Sequence, residues 1–229
     1  MGRRMRSFNE ILDLAAQHHG SKDNVLAMAT NEHALADLTT LSDDRYLSEM
    51  AKAVFSAGFS WKVIRNKWPG FEAAFDGFQP NRVAFYGDED LDRLLGDAAI
   101  VRNGQKITAT IANARFVVAT AKEYGSFGAF LAGWPEDDQA GLLAHLAKHG
   151  SRLGGATAQY FLRFSGYDAW IASNHVCAAL QRESVLDKPS ATSKTAQRKV
   201  DAAFTELKAQ SGLPRAVLSR ILALSIGPR

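Results

Sequence analysis

Apolar residues recur every three or four positions along almost the whole chain, which is the period of an amphipathic α-helix. Helix-capping residues divide this pattern into short segments. Ser7 and Glu10 form a capping box, which predicts a helix to about His18. Ser42, followed by two aspartates, predicts another helix that ends at Gly58. Later helices are predicted over residues 105–122, 138–149, 156–164, 172–182, 192–210 and 214–224.

Turn-forming residues mark the ends of the shorter helices. Ser60 is expected to cap a short helix that Pro69 and Gly70 end. Pro80 suits the first turn of the next helix, and an acidic run from Asp88 opens a further one. We find no segment with the alternation of a strand. The pattern therefore predicts an all-α fold of about ten helices.

Composition sets the broad class of the protein. The 229 residues, 46% of them hydrophobic, suffice for one substantial core or for two small lobes that share a cleft. A net charge of +3 is too small to indicate a nucleic-acid partner by itself. The chain has neither a signal-peptide pattern nor a span-length apolar stretch, so we expect a cytoplasmic protein with no membrane partner.

The segment from Leu153 to Phe161 reads as the end of one helix, a tight glycine turn and the start of another helix. Glycines at such a turn let backbone amides approach a phosphate, while the next helix points its positive end toward it. Gly154, Gly155 and Thr157 are therefore candidates for a grip on the DNA backbone. The alternative is an ordinary helix connection, because Gly-Gly pairs are common where no ligand binds.

A second segment places Trp61 directly after a helix end, close to Phe55 and Phe59. A protein that acts on a nucleic-acid base must extrude the base and hold it by stacking, and an aromatic lining suits this task. An indole is also a good partner for an electron-deficient alkylated purine. The alternative is that Trp61 is a core residue, which is the commoner case.

Taken in order, several motifs resemble the bacterial DNA-3-methyladenine glycosylase I family. They are the Ala57–Trp61 run, the Phe71–Phe78 stretch, and the set Asp97, Ile100, Arg102, Lys106, Ile107, Ile111, Asn113 and Ala114. The Leu153–Val176 region is similar to the helix-hairpin-helix motif of the wider glycosylase superfamily. The resemblance implies two interleaved helical lobes with a cleft between them. We expect them to form one unit over residues 1–229, with the hairpin at about 146–165.

The resemblance fails at both positions where it implies a catalytic acid. Family members have a glutamate eight residues before the pocket tryptophan, and Ala53 stands there. The wider superfamily has an aspartate where this chain has Ser173. Glu49, one turn before Ala53, and Asp168, just after the hairpin, are the remaining candidates for a catalytic carboxylate. The alternative for each is an exposed or capping carboxylate.

The resemblance also implies residues that bind the base and the DNA. Base-binding residues would be Trp61, Tyr46, Phe55 and Phe59, and DNA-binding residues would be Leu153, Gly154, Gly155, Thr157 and Lys106. The structural zinc of the family is not expected, because His175 and the single cysteine, Cys177, have the wrong spacing for that site. We predict no metal and no other cofactor.

These residues favour a monofunctional DNA glycosylase that removes alkylated purines from double-stranded DNA as a monomer. Superfamily members that also cut the strand have a lysine where this chain has Gln159, so lyase activity is not expected. A cationic alkylated base leaves readily, so a weak active site suffices for it. The alternatives are a catalytically weak or inactive damage-binding protein of the same fold, and a glycosylase with altered base specificity.

Overall fold

A computed structural model describes residues 4–30 and 35–227 of the chain. These residues contain thirteen α-helices, two short 3-10 helices and no strand, so the all-α prediction is confirmed. The helices are α1 (Phe8–His19), α2 (Lys22–Thr30), α3 (Asp43–Ser56), α4 (Trp61–Ala74), α5 (Pro80–Val83), α6 (Asp88–Gly96), α7 (Gly104–Tyr124), α8 (Phe127–Ala132), α9 (Gln139–His149), α10 (Ala156–Phe164), α11 (Asn174–Arg182), α12 (Lys194–Ser211) and α13 (Arg215–Leu224). The 3-10 helices are Leu38–Thr40 and Asp76–Phe78.

The chain divides into two compact units built from interleaved segments. Unit 1 comprises Met1–Leu35, Pro135–Leu142 and Gly166–Arg229, and unit 2 comprises Ala36–Trp134 and Leu143–Ser165. In unit 1, α13 packs against α1, α2, α11 and α12. In unit 2, α3 packs against α4, α7, α8 and α10.

A buried polar cluster lies in the core of unit 1. The Trp170 ring is fully buried, stacks against Phe204 and donates from Nε1 to Asp201 at 2.9 Å. The Gln139 side chain pairs with both backbone groups of Trp170, at 2.9 and 2.8 Å. Burial raises the pKa of the Asp201 carboxyl, against the lowering effect of a hydrogen bond from the Ala140 amide. This cluster therefore satisfies its polar groups within unit 1.

Capping residues and prolines in the sequence correctly predicted the first residues of several helices. The Ser7–Glu10 capping box is present, with the Ser7 amide donating to the Glu10 carboxylate at 2.8 Å. Ser42 and Ser60 stand at the N-cap positions of α3 and α4, although neither side chain makes the capping hydrogen bond. Pro80 occupies the first turn of α5, as predicted.

The prediction that Pro69 and Gly70 end a helix is wrong. Helix α4 continues through both residues to Ala74. Pro69 lies on the exposed side of the helix. Gly70 is required by packing, because a Cβ there would lie 2.7 Å from the carbonyl oxygen of Ala99. The Pro-Gly pair thus marks a close contact between segments of unit 2.

In the described part of the chain, residues 4–30 and 35–227, we find no helix with the length and apolar character needed to cross a membrane.

Candidate functional site

Three aromatic and three charged side chains line a cavity of about 510 Å³ in unit 2. The lining residues are Glu49 and Lys52 of α3, Trp61 and Arg65 of α4, and Tyr160 and Phe164 of α10. Pockets for small organic ligands have volumes of roughly 300 to 1,000 Å³ and combine an apolar lining with a few polar groups. The cavity therefore has the size and lining of a site for a planar organic group.

The three rings form one aromatic wall. The Trp61 ring lies 5.4 Å from the Tyr160 ring and 5.4 Å from the Phe164 ring, measured between centroids. Tyr160 and Phe164 stack on each other at 5.9 Å, because residues four apart share one face of a helix. Phe164 is 48% exposed, which is unusual for a large apolar ring. This wall presents open aromatic surface to a ligand.

The charged side of the cavity is a carboxylate and ammonium pair on α3. The Lys52 ammonium lies 2.5 Å from a Glu49 carboxylate oxygen. It also lies 4.9 Å from the centroid of the Trp68 ring, within the range of a cation–π contact. Both side chains are about one fifth exposed, at 21% for Glu49 and 23% for Lys52. The pair therefore brings an acid and an amine together at the cavity.

A hydrogen-bonded carboxylate holds Trp68 in place. Glu72 accepts two hydrogen bonds from Arg45, at 2.8 and 2.9 Å, one from Ser48 at 2.9 Å and one from Trp68 Nε1 at 3.0 Å. Burial acts to raise the pKa of the Glu72 carboxyl, but these hydrogen bonds outweigh it and lower the pKa. Trp68 is thereby fixed beneath Lys52.

The glycine turn forms a helix hairpin between α9 and α10. Gly155 has φ 56° and ψ −131°, a backbone conformation that side chains rarely adopt. A Cβ on Gly155 would meet nothing within 4 Å, and Gly154 is also exposed. Leu153 is fully buried and anchors the turn. The hairpin therefore presents open backbone at the N-terminus of α10, where helix amides lack intrahelical partners.

The side chain of Asn113, in α7, holds this turn in place by hydrogen bonds to Ser151. Its side chain is fully buried and donates from Nδ2 to the Ser151 carbonyl at 3.1 Å. Its Oδ1 accepts a hydrogen bond from the Ser151 amide at 2.7 Å. One side chain thus satisfies both peptide groups of Ser151. The motif residue Asn113 positions the hairpin through this contact.

Of the predicted base-binding residues, only Trp61 lines the cavity. Tyr46 is fully buried, packs on Phe127 and donates its hydroxyl to the Leu38 carbonyl at 2.7 Å. Phe55 is fully buried against Phe71, 4.6 Å between ring centroids. Nine residues correspond to about two and a half helical turns, so Tyr46 and Phe55 point to opposite sides of α3. The structure therefore places both rings in the core of unit 2.

Phe59 follows the C-terminal end of α3, and Lys106 of α7 contacts that end. Phe59 is 47% exposed in the turn before α4 and does not line the cavity. The Lys106 ammonium donates to the carbonyls of Phe55 and Ala57, at 2.9 and 2.8 Å. Burial, and to a smaller degree Arg152, lower the pKa of Lys106. Lys106 thus holds the C-terminal end of α3, and its contact with DNA stays a prediction.

The two candidate carboxylates have different surroundings. Glu49 lines the same cavity as Trp61. Asp168 belongs to unit 1, where it accepts a hydrogen bond from the Ala216 amide at 3.0 Å and pairs with Lys208 at 3.4 Å. Asp168 therefore satisfies an amide of the first turn of α13, as a capping carboxylate does.

Both positions that lack the expected acid have a structural role. Ala53 is 2% exposed within α3. Ser173 is the N-cap of α11, and its hydroxyl accepts a hydrogen bond from the Val176 amide at 3.3 Å. Neither residue carries a group that could act as a general acid.

Within the described residues, no group of three His, Cys, Asp or Glu side chains could hold a metal ion. Cys177 is buried, and burial raises the pKa of its thiol, which disfavours the thiolate that metals bind. His175 is exposed at the start of α11.

Sequence reasoning missed Tyr160, Phe164, Lys52 and Arg65. A signal was present for the two rings, because aromatic residues four apart on α10 share one face directly after the hairpin. Lys52 and Arg65 carried no such signal, since charged residues on a helix usually face solvent.

Comparison with known structures identifies the class of fold to which this chain belongs. A DNA complex of the 8-oxoguanine glycosylase/lyase of Methanocaldococcus jannaschii superimposes over 94% of this chain and 96% of that chain, with a TM-score of 0.55 and 14% identity. At this identity the likeness concerns the fold alone. The fold is that of the helix-hairpin-helix DNA glycosylases.

The family follows from closer relatives. Residues 38–151 match the methyladenine glycosylase family. The 3-methyladenine DNA glycosylase I of Staphylococcus aureus is 30% identical, with a TM-score of 0.50, over 56% of this chain and 79% of that chain. DNA-3-methyladenine glycosylase 1 of Escherichia coli is 44% identical over 59 residues, which are 26% of this chain and only 32% of that protein. The chain belongs to the methyladenine glycosylase family.

Proposed function

We propose that this chain is a DNA N-glycosylase that removes alkylated purines of the 3-methyladenine type from double-stranded DNA. The observation that carries the proposal is the aromatic cavity of Trp61, Tyr160 and Phe164, which shares helix α10 with the glycine hairpin. A base-excision enzyme needs both features, a wall on which the flipped base stacks and a grip on the backbone beside it. The S. aureus and E. coli relatives are both named for 3-methyladenine.

The hairpin would hold the DNA backbone. Phosphate oxygens would accept hydrogen bonds from the amides around Gly154 and Gly155 and from the Thr157 hydroxyl in the first turn of α10. The Leu153 side chain is fully buried and keeps the turn in place, and its own contact with DNA stays a prediction. This grip is independent of sequence, which suits an enzyme that must search any DNA for damage.

The cavity would hold and release the base. An alkylated purine carries a positive charge, so it stacks well on the indole of Trp61 and leaves without a strong general acid. The sugar develops positive charge as the base departs, and a carboxylate close by stabilises that charge. Glu49 is the carboxylate that lines the cavity, and we assign it this role. Ala53 and Ser173 are compatible with such a site because a cationic leaving group needs no proton.

The released base tests the proposal. Methylated duplex DNA is incubated with the protein, and free bases and abasic sites are measured by mass spectrometry and an aldehyde probe. We expect release of 3-methyladenine, and we expect Trp61→Ala to abolish it while non-specific DNA binding stays unchanged. Phe85→Ala is the matched control, since that ring is 87% exposed and does not line the cavity. Equal turnover by wild-type protein and Trp61→Ala would refute the assignment of the cavity.

Two carboxylate variants separate the candidate acids. Glu49→Gln should lower base release per folded molecule, by roughly a hundredfold if Glu49 provides the electrostatic stabilisation. Asp168→Asn should instead lower stability, because it weakens the contact with the Ala216 amide. The reverse pattern would assign the chemistry to Asp168.

A second candidate function is a damage-binding protein without catalytic activity. The absence of an acid at both Ala53 and Ser173 favours it. The same assay separates the two functions, because such a protein would bind methylated DNA and release no base. Release of a different base would indicate a glycosylase with altered specificity. A single protomer bound to DNA is expected in each case.

A further inference from the structure

Arg65 adds a positive charge to the proposed base cavity. It lines the cavity from α4, four residues after Trp61, so both side chains lie on one face of that helix. The other charged residues of the lining, Glu49 and Lys52, form an ion pair of 2.5 Å and balance each other. Arg65 is exposed and has neither a hydrogen bond nor an ion pair within the described residues, 4–30 and 35–227. The cavity is therefore left with one positive charge.

An alkylated base is a poor partner for this charge. The base is itself a cation, and two like charges in one cavity repel each other. The indole of Trp61 already offers the base an attractive contact. The anions that an extruded nucleotide brings with it are the phosphates on either side of its sugar. An arginine binds phosphate through two parallel hydrogen bonds from a planar group that stays charged, so a phosphate suits Arg65 better than the base does.

We propose that Arg65 binds a backbone phosphate of the extruded nucleotide and thereby positions its sugar at the cavity. The inference rests on the proposed function, because it requires a flipped nucleotide at this site. The contact differs from the proposed grip of the hairpin, which uses main-chain amides around Gly155. It forms only when the nucleotide has left the double helix. Arg65 therefore strengthens the binding of an extruded nucleotide and not the binding of intact duplex.

Two other arginines of unit 2 are already paired with carboxylates. Arg45 pairs with Glu72 at 2.8 Å, and Arg82 pairs with Asp76 at 2.8 Å. Neither lines the cavity. Their charges are balanced within the folded protein, so a phosphate would have to compete with a carboxylate for each of them. Arg65 offers its guanidinium at the cavity without that competition.

The salt dependence of DNA binding tests the inference. The full-length protein is titrated with two duplexes of one sequence, intact or with a single tetrahydrofuran abasic analogue, which has no base to hold it in the helix. The slope of log K against log salt concentration counts the phosphates that the protein neutralises. For Arg65→Gln on the abasic duplex, we expect the slope to fall by roughly 0.9 and the affinity to fall roughly tenfold. Binding of the intact duplex should not change.

Two further variants separate the phosphate contact from general effects of charge and structure. Arg65→Lys keeps the charge and should keep the slope, but it should lose part of the affinity because an ammonium cannot form the two parallel hydrogen bonds. Arg82→Gln is the matched control, since it removes one positive charge that does not line the cavity, and its slope should equal that of wild type on both duplexes. Arg65→Gln should unfold at the wild-type Tm, because Arg65 is exposed.

The possible results have separate meanings. An unchanged slope for Arg65→Gln on the abasic duplex, or an equal loss on both duplexes, would overturn the inference even if wild-type protein releases bases. An unchanged slope with a changed ratio of released adenine and guanine derivatives would also overturn it, and would assign Arg65 to the edge of the base, where arginine binds the acceptors of guanine. A reduced slope on the abasic duplex alone, without base release by wild-type protein, would support the inference and contradict the proposed glycosylase function.

Discussion

Asn113 joins α7 to the turn of the hairpin, and replacing it with alanine isolates that junction. The side chain is fully buried and makes two hydrogen bonds to Ser151, at 3.1 and 2.7 Å. Asn113→Ala leaves the Ser151 amide and carbonyl without these partners, at about 1 to 3 kcal/mol for each group that stays unsatisfied. Ser151 is half-buried, so water replaces part of the loss. We expect the free energy of unfolding to fall by about 3 kcal/mol.

Thermal unfolding followed by circular dichroism measures this loss. For a chain of this size 1 kcal/mol corresponds to about 2 to 4 °C, so Tm should fall by roughly 6 to 12 °C. Asn113→Asp keeps an acceptor for the Ser151 amide but sets a carboxylate oxygen against the Ser151 carbonyl, so it should not restore stability. Asn66→Ala is the control, because Asn66 is exposed on α4 and should change stability by less than about 0.5 kcal/mol.

The same variant tests the link between the turn and DNA. Below its Tm, Asn113→Ala should bind undamaged DNA of any sequence more weakly than the wild type, since the backbone around Gly155 loses its support. A loss of stability no larger than that of Asn66→Ala would show that the Ser151 contacts contribute little. Unchanged DNA affinity in a folded Asn113→Ala protein would show that Asn113 does not position the grip.

Two further predictions concern stability. Gly70→Ala should destabilise the protein by about 1 to 3 kcal/mol in urea unfolding, because the new Cβ would lie 2.7 Å from the Ala99 carbonyl oxygen. Gly96→Ala is the control and should be neutral or stabilising, because a Cβ there meets nothing within 4 Å. Equal effects of the two substitutions would refute the packing argument. Folding lowers the pKa of Glu72 below its ordinary value of 4.5. The hydrogen bonds between Glu72 and Arg45 therefore stabilise the fold fully at pH values above 4.5, and this stabilisation is lost as the pH falls through the lowered pKa. Stability measured from pH 6 to pH 3 should therefore fall more steeply for wild type than for Glu72→Gln, and parallel curves would contradict the assignment.

Local signals predicted much of the helical structure. Helix α10 was predicted over residues 156–164 and is observed at Ala156–Phe164, because the hairpin glycines and the apolar period both lie within the segment. Helix α2 was missed because only Val25 and Ala29 of its residues are buried, too few to show a period. Helix α8 is six residues long, below the length at which periodicity can be recognised.

The candidate site was only partly predictable for a related reason. Trp61 and Glu49 follow from a motif and from helical spacing, and both line the cavity. The Tyr160 and Phe164 rings join them because α10 packs against α3, a contact between residues more than a hundred positions apart. No local pattern encodes that contact. The same limit explains Tyr46 and Phe55, since proximity to Trp61 in sequence did not reveal which face of α3 each side chain occupies.

Helix α10 fixes the distance between the proposed phosphate contact and the base cavity. Gly155 is the N-cap residue of this helix, and Tyr160 and Phe164 lie on its later turns. At about 1.5 Å per residue, the helix sets a fixed spacing of roughly 14 Å from the proposed phosphate contact at Gly155 to the far ring, Phe164, of the base cavity. The length of the helix would therefore determine which nucleotide enters the cavity when a given phosphate is bound. Inserting one residue after Thr157 would lengthen it only slightly but turn the rings by about 100°, so backbone binding and base recognition would no longer address the same nucleotide.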